Sequence, residues 1–140
     1  MLVELRVQNF AIIDRLAVRL EPGLNVLTGE TGAGKSIIVG ALSLLLGERA
    51  SGEVIRQGAE RAVVEGVFDV ADRADLRAFL TEHGVEGDDG LLVLRREITV
   101  AGRNRAWVNG AASTAGMVAE LGSHLVDLHG QHEHQALLRP

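Results

Sequence analysis

An α/β fold, with a mixed β-sheet around one helix that follows a glycine loop, is predicted by three observations in this 140-residue sequence. Residues 24–28, Leu-Asn-Val-Leu-Thr, form a short apolar run suited to a buried strand. Residues 29–36, Gly-Glu-Thr-Gly-Ala-Gly-Lys-Ser, match G-x-x-x-x-G-K-[ST] at every fixed position. Residues 35–46 contain no proline and many helix formers. Strand, glycine loop and helix therefore follow in the order of a P-loop NTPase. The other strand-like runs are joined mostly as hairpins, which argues for a mixed sheet rather than an all-parallel one.

The loop's residue types suit a triphosphate. Gly29, Gly32 and Gly34 lack a Cβ, so the main chain can turn successive N–H groups inward and approach the phosphates closely. Lys35 is placed to reach the β- and γ-phosphates, and the Ser36 hydroxyl suits Mg²⁺, which prefers oxygen ligands. The following helix adds unpaired first-turn N–H groups and the positive end of its dipole. The alternative reading is a glycine-rich turn between strand and helix that binds nothing.

Along the chain, residues 2–10 alternate, with Val3, Leu5 and Val7 on one face and Glu4, Arg6 and Gln8 on the other. Leu16, Val18 and Leu20 repeat the pattern, and the short segment 9–14 makes the two runs a hairpin. Glu21-Pro22-Gly23 reads as a turn. The helix after the loop is apolar over most of its circumference, apart from a stripe of Ser36, Gly40, Ser43 and Gly47 along which another backbone can pack. Residues 47–61 form a polar loop carrying Arg49, Arg56 and Arg61. A strand over 62–70 turns Val64, Phe68 and Val70 one way. Asp72 is placed to cap an amphipathic helix with Leu76, Phe79 and Leu80 that ends near Gly84. Residues 91–100 and 105–109 form a hairpin across Ala-Gly-Arg-Asn. Ser113 then caps a short helix that Gly122 ends, and residues 125–128 read as a strand.

Composition sets outer limits. The length and the 46% hydrophobic content support one folded domain rather than two. Fourteen Lys and Arg against 19 Asp and Glu leave a formal charge of −5, so any contact with nucleic acid must be local. With no cysteine, disulfides and thiolate metal sites are excluded. No signal peptide and no membrane-spanning run is visible, so the sequence reads as soluble and cytoplasmic.

A second candidate site is the run His129-Gly130-Gln131-His132-Glu133-His134-Gln135, which with His124 holds four of the five histidines. His132 and His134 stand two apart and cannot match the i, i+4 pair of a zinc helix. A nucleotide-linked loop is the reading adopted, with a metal cage or a plain polar loop as alternatives. Asp69 and Asp127 are candidates for a metal-binding carboxylate at a strand end, or ordinary strand-edge residues. Arg95, Arg96, Arg103 and Arg105 gather positive charge at the hairpin, where they could meet DNA phosphates or form a solvated surface.

Residues 9–14, the run from Gly23 through the glycine loop to Ile37, Leu46-Gly-Glu-Arg-Ala, and the histidine run with Leu137-Leu138 together resemble the N-terminal part of the RecN family of bacterial DNA repair proteins, SMC-like members of the ABC ATPases. The resemblance implies that residues 1–140 are the N-terminal lobe of an ATPase head, from P-loop to Q-loop, in double-strand break repair by recombination. The cofactors implied are ATP and Mg²⁺. Residues 29–36, with Glu30, Thr31 and Ala33 included, would hold the phosphates, and Gln131 would contact Mg²⁺ and the attacking water. Arg49 or Arg56 resembles an arginine placed near nucleotide and DNA. The sequence contains no Leu-Ser-Gly-Gly signature and no long apolar strand ending in Asp-Glu. In the family a C-terminal lobe beyond a coiled coil supplies these parts, and a second head completes the site as a homodimer. DNA is the further partner and localisation is cytoplasmic, with the nucleoid. Alternatives are a self-contained P-loop kinase or GTPase, and an assembly module that uses ATP without hydrolysis.

Overall fold

A computed structural model describes residues 2–19, 32–47, 52–85 and 90–125, with residues 32–37 as backbone only. The first strand, β1 (Leu2–Phe10), returns as β2 (Ile13–Arg19) through the predicted hairpin, with Phe10 opposite Ile13. Leu5 and Val7 face inward as the alternation requires. A register shift between Leu2 and Glu4 lets Leu2 share that face, so Leu2 is buried while Val3 is only partly so.

Helix α1 (Gly32–Leu45) crosses to β3 (Arg61–Asp69), α2 (Ala74–Glu82) leads into β4 (Leu91–Thr99), and β5 (Asn104–Val108), β6 (Ala111–Ser113) and α3 (Ala115–Leu125) complete the described chain. The six strands lie in the order β2-β1-β3-β4-β5-β6. The α/β class holds, and every pairing among the described residues is antiparallel. The predicted strand over 24–28, on which a parallel pairing would depend, lies outside the described residues.

One face of the sheet is apolar and covered. Val64, Phe68, Leu92, Leu94 and Ile98 lie inside, beneath Ala41, Leu42 and Leu45 of α1 and Val118 and Leu121 of α3. Burying such side chains is worth about 1.5–3 kcal/mol each. Along the small-residue stripe of α1, Gly40 and Gly47 serve packing, Ser43 bonds within the helix, and the Ser36 side chain lies outside the described residues. A Cβ on Gly40 would meet the Phe10 ring at 3.7 Å, and the Ser43 hydroxyl donates to the Val39 carbonyl at 3.0 Å. Gly47 takes a φ of +106° where the chain presses on Ala119.

Three local expectations are corrected. The cap position of α2 is Arg73 rather than Asp72 and makes no side-chain capping bond. Arg73 instead pairs with Asp75 at 3.0 Å and donates to the His124 carbonyl at 2.6 Å near the end of α3. Its hydrogen bond holds the Asp75 carboxyl down at about 2. Secondly, Ser113 is not a helix cap. It pairs with Ala106 in β6, and the Thr114 hydroxyl accepts from the Met117 N–H at 3.0 Å in its place. Thirdly, Gly122 lies inside α3, and Leu125 ends that helix instead of opening a strand. Residues 126–128 of the expected strand lie outside the described residues. The strand β6 escaped the sequence reading, although Asn109 (φ 50°) and Gly110 (φ 84°) form the Asn-Gly turn that marks a two-residue hairpin.

Gly122 is the tightest test of this packing. A Cβ there would lie 2.6 Å from the Leu46 carbonyl oxygen, and main chain cannot swing aside. Gly122→Ala is expected to cost about 2 kcal/mol or more. Gly116→Ala in the same helix, whose nearest neighbour is 3.8 Å away, should be neutral or stabilising by about 0.5–1 kcal/mol. Urea unfolding midpoints of the two variants check both signs.

Candidate functional site

The direction of α1 places the candidate phosphate end. Gly40 lies on Phe10, at the end of β1, whereas five residues later the Leu45 side chain covers Gly66, which pairs with Leu5 in mid-strand. The helix thus runs opposite to β1. Its N-terminal end, which holds Gly32, Ala33, Gly34, Lys35 and Ser36, points to the end of the sheet where β1 turns into β2. The first-turn N–H groups of a helix lack intrahelical partners, so this end offers donors and a positive dipole. Gly29, Glu30 and Thr31 lie outside the described residues, as do Arg49 and Gln131.

The β1–β2 turn at this end is strained and tied down. Ala11 has a φ of 54°, which costs a residue with a Cβ roughly 1–2 kcal/mol. Its N–H donates to the Val54 carbonyl at 2.6 Å, and the Arg56 N–H donates to the Asn9 carbonyl at 2.8 Å. Ile55 between them bridges to Phe10 and is buried. The loop after α1, read from sequence as surface loop, is therefore sewn to β1 through the 3-10 turn Gly52–Val54 and the two residues after it. This holds the Arg56 side chain at the sheet end, half exposed and 4.0 Å from the Asp14 carboxylate.

The β4–β5 turn reaches the same end, since Thr99 pairs with Arg61 and the Val100 N–H donates to the Glu60 carbonyl at 2.9 Å. Arg103 and Arg105 are exposed there. The other two hairpin arginines are not part of that surface. Arg95 lies on the outer sheet face, 5.3 Å from the Trp107 ring centre and 3.9 Å from Glu65. Glu65 also pairs with Arg6 at 3.0 Å, so cross-strand pairs engage these charges. Arg96 is buried at 2% exposure. It shares the inward face with Leu92, Leu94 and Ile98, a period-two signal already present in the sequence.

Asp69 accepts a hydrogen bond from the Ala71 N–H at 3.0 Å and so closes the turn that leaves β3. Asp127 lies outside the described residues. No group of three or more His, Asp or Glu able to hold a metal occurs among the described residues. A groove of about 470 Å³ lined by Val70, Arg77, Leu80 and Leu91 opens at the opposite end of the sheet, beyond Asp69. The end toward which α1 points is therefore where candidate groups converge.

The sequence model described as AAA domain matches residues 4–104, well over half the chain. The chain belongs to the AAA domain family. This AAA domain is 51% identical over 138 residues to the DNA repair protein RecN of Halalkalibacterium halodurans, a match that covers 99% of the chain and 24% of the relative. It thus spans about a quarter of that protein's length. Among solved structures, the Smc head domain of Pyrococcus yayanosii with its coiled coil and joint superposes at a TM-score of 0.74 and 22% identity, covering 94% of this AAA domain and 27% of that chain. A chain from work on ATP-driven dimerization and DNA-stimulated activation of SMC ATPases gives 0.67 at 20% identity, covering 98% and 96%. The fold is that of an SMC-type ATPase head. No helix among the described residues is long and apolar enough to cross a membrane.

The strain at the β1–β2 turn is open to measurement. Ala11→Gly removes the Cβ from a positive-φ position while keeping the N–H that Val54 accepts. It should raise stability by about 1 kcal/mol, seen as a higher unfolding midpoint, and an unchanged or lower midpoint would contradict the strain.

Proposed function

We propose that this chain is the N-terminal lobe of an SMC-like ATPase head that acts in DNA double-strand break repair by recombination, and that it supplies the ATP-binding half of a composite site. The observation that carries the reading is the alignment of α1. The helix that continues the Gly29 to Ser36 motif points its first turn at the sheet end where Arg56 stands. The likeness to a protein named for DNA repair and to SMC heads supports the biological setting.

The donor set fits nucleotide and metal. Backbone N–H groups at a helix start suit phosphate oxygens, the Lys35 ammonium supplies a point charge suited to the β- and γ-phosphates, and the Ser36 hydroxyl is a hard ligand for Mg²⁺. Bound Mg²⁺ would neutralise charge on the transferred phosphoryl group. Gln131, whose amide both donates and accepts, would orient the attacking water. Arg56, or Arg49, would approach nucleotide or DNA. Carboxylate and signature groups would come from a C-terminal lobe and a second head, so nucleotide would gate engagement of two heads. Alone, the chain binds ATP and hydrolyses little.

Titration of ATP·Mg²⁺ into the wild-type chain and Lys35→Ala tests the site. The variant should bind at least about tenfold more weakly, equivalent to ~1.4 kcal/mol; equal affinities would overturn the phosphate-loop reading. Hydrolysis should rise only when the C-terminal lobe is added, and full turnover by the chain alone would favour a self-contained kinase or GTPase.

Arg103 and Arg105 are the exposed arginines proposed to meet DNA phosphates. Each phosphate contact contributes a slope of about 0.9 to the dependence of log affinity on log salt concentration. The double variant Arg103→Ala, Arg105→Ala should therefore lower the slope by about 2. A slope equal to wild type removes this hairpin from the DNA surface.

A further inference from the structure

The described core contains one cation that the proposed chemistry does not use. Arg96 sits in the middle of β4, opposite Val64 and Ala106, with its side chain on the inner face. Its Nη1 donates to the Leu44 carbonyl at 3.0 Å, in the last turn of α1, and its Nη2 donates to Asn104 Oδ1 at 2.7 Å, at the start of β5. The Nε is buried and has no partner among the described residues. Neither acceptor is a carboxylate. Glu97 beside it, also buried, pairs with Arg61 at 3.6 Å instead.

A buried cation with no countercharge among the described residues is a poor way to fill a core. Desolvation costs several kcal/mol per ion, and an apolar side chain of similar length often does as well or better for stability. Burial also lowers the pKa of this guanidinium, in keeping with that cost. What an apolar residue cannot supply is a directional bond to two elements at once. The Leu44 carbonyl, at the helix C-terminus, accepts only an i+3 bond from the Gly47 N–H and has room for a second donor, and a cation is favoured there because the dipole is negative. A planar guanidinium with fixed donor directions sets the height and rotation of α1 above the sheet more sharply than packing does.

We infer that Arg96 is a positioning residue for the nucleotide helix, a brace between the C-terminal turn of α1 and the β4–β5 hairpin that sets where the first turn of α1 stands. The inference rests on the reading of α1 as the phosphate-binding helix. At 1.5 Å per residue, the 14-residue α1 spans about 20 Å, so a small tilt at Leu44 moves its N-terminal end. Donors aimed at phosphate tolerate little displacement, since about 1 Å of misplacement can cost orders of magnitude in a positioned interaction.

Positioning and plain structural support are separated by the signs of two measurements on the 140-residue chain. Arg96→Met fills similar volume without charge, and Leu44 keeps its bond from the Gly47 N–H at 3.1 Å. Its unfolding midpoint should equal or exceed that of wild type, while ATP·Mg²⁺ affinity falls about tenfold. Arg96→Lys, able to keep one of the two bonds, should recover part of the affinity, and Asn104→Ala, which removes one end of the brace at an exposed position, should lose part of it. A folded Arg96→Met with wild-type affinity overturns the inference. If that variant does not fold, Asn104→Ala decides, and wild-type affinity there overturns it equally. Failure of the nucleotide reading is distinguishable, because wild type and Lys35→Ala would then both fail to bind before any change at Arg96.

Discussion

The seating of α1 on the inner sheet face depends on side chains that are absent. Leu45 occupies the space over Gly66 that any Cβ would take, Gly47 meets Ala119 through bare main chain, and Gly122 lets α3 pass against the Leu46 carbonyl. These three close approaches surround the last turn of α1, and Arg96 bonds to the Leu44 carbonyl within the same turn. The C-terminal end of the helix is thereby held by β3, β4 and α3 together. Its N-terminal end is left to point past Phe10 toward the sheet end where Arg56 and the β4–β5 turn gather.

The two sheet faces divide the work. The inner face is apolar and carries the helices, so its order is set by burial. The outer face runs Arg19, Glu4, Arg6, Glu65 and Arg95 across four strands, with ion pairs linking neighbours and Trp107 under Arg95. Exposed pairs of this kind contribute little each, about 0–1 kcal/mol. Their larger consequence is that Arg95, counted with the basic hairpin cluster in the sequence, is partly neutralised by Glu65 of β3. Arg103 and Arg105 extend past that lattice at the hairpin and stay exposed.

Much of the fold was legible because its signals are local. Alternation in Leu5-Arg6-Val7-Gln8 and in Val64 to Phe68 reports strands directly, and the proline-free run after Lys35 reports α1. The misses have physical reasons. Asp72, Ser113 and Gly122 each have the residue type for a cap, but a neighbour took the position or a partner made another use of it: Thr114 supplied the hydroxyl, and Leu46 required the missing Cβ of Gly122. Arg96 was grouped with Arg95 by adjacency, although strand periodicity sends neighbours to opposite faces. The Ala11 strain and the clamp by residues 54–56 join parts of the chain more than forty positions apart, and no local pattern announces such a contact.

By itself the sequence determined the class of the protein and gave the grounds on which its principal motif is proposed to bind phosphate. Both follow from residue type and short-range spacing: glycines, a lysine and a hydroxyl in one loop, and hydrophobic periods of two and 3.6 on either side. Only the tertiary structure decided which way α1 points, which arginines remain at the surface, and that the one at position 96 is spent on holding a helix end. Those outcomes depend on strand register and on backbone approach between distant segments. They are settled when the sheet closes and desolvates its inner face, because burial is what makes a missing Cβ necessary and an unpaired charge costly.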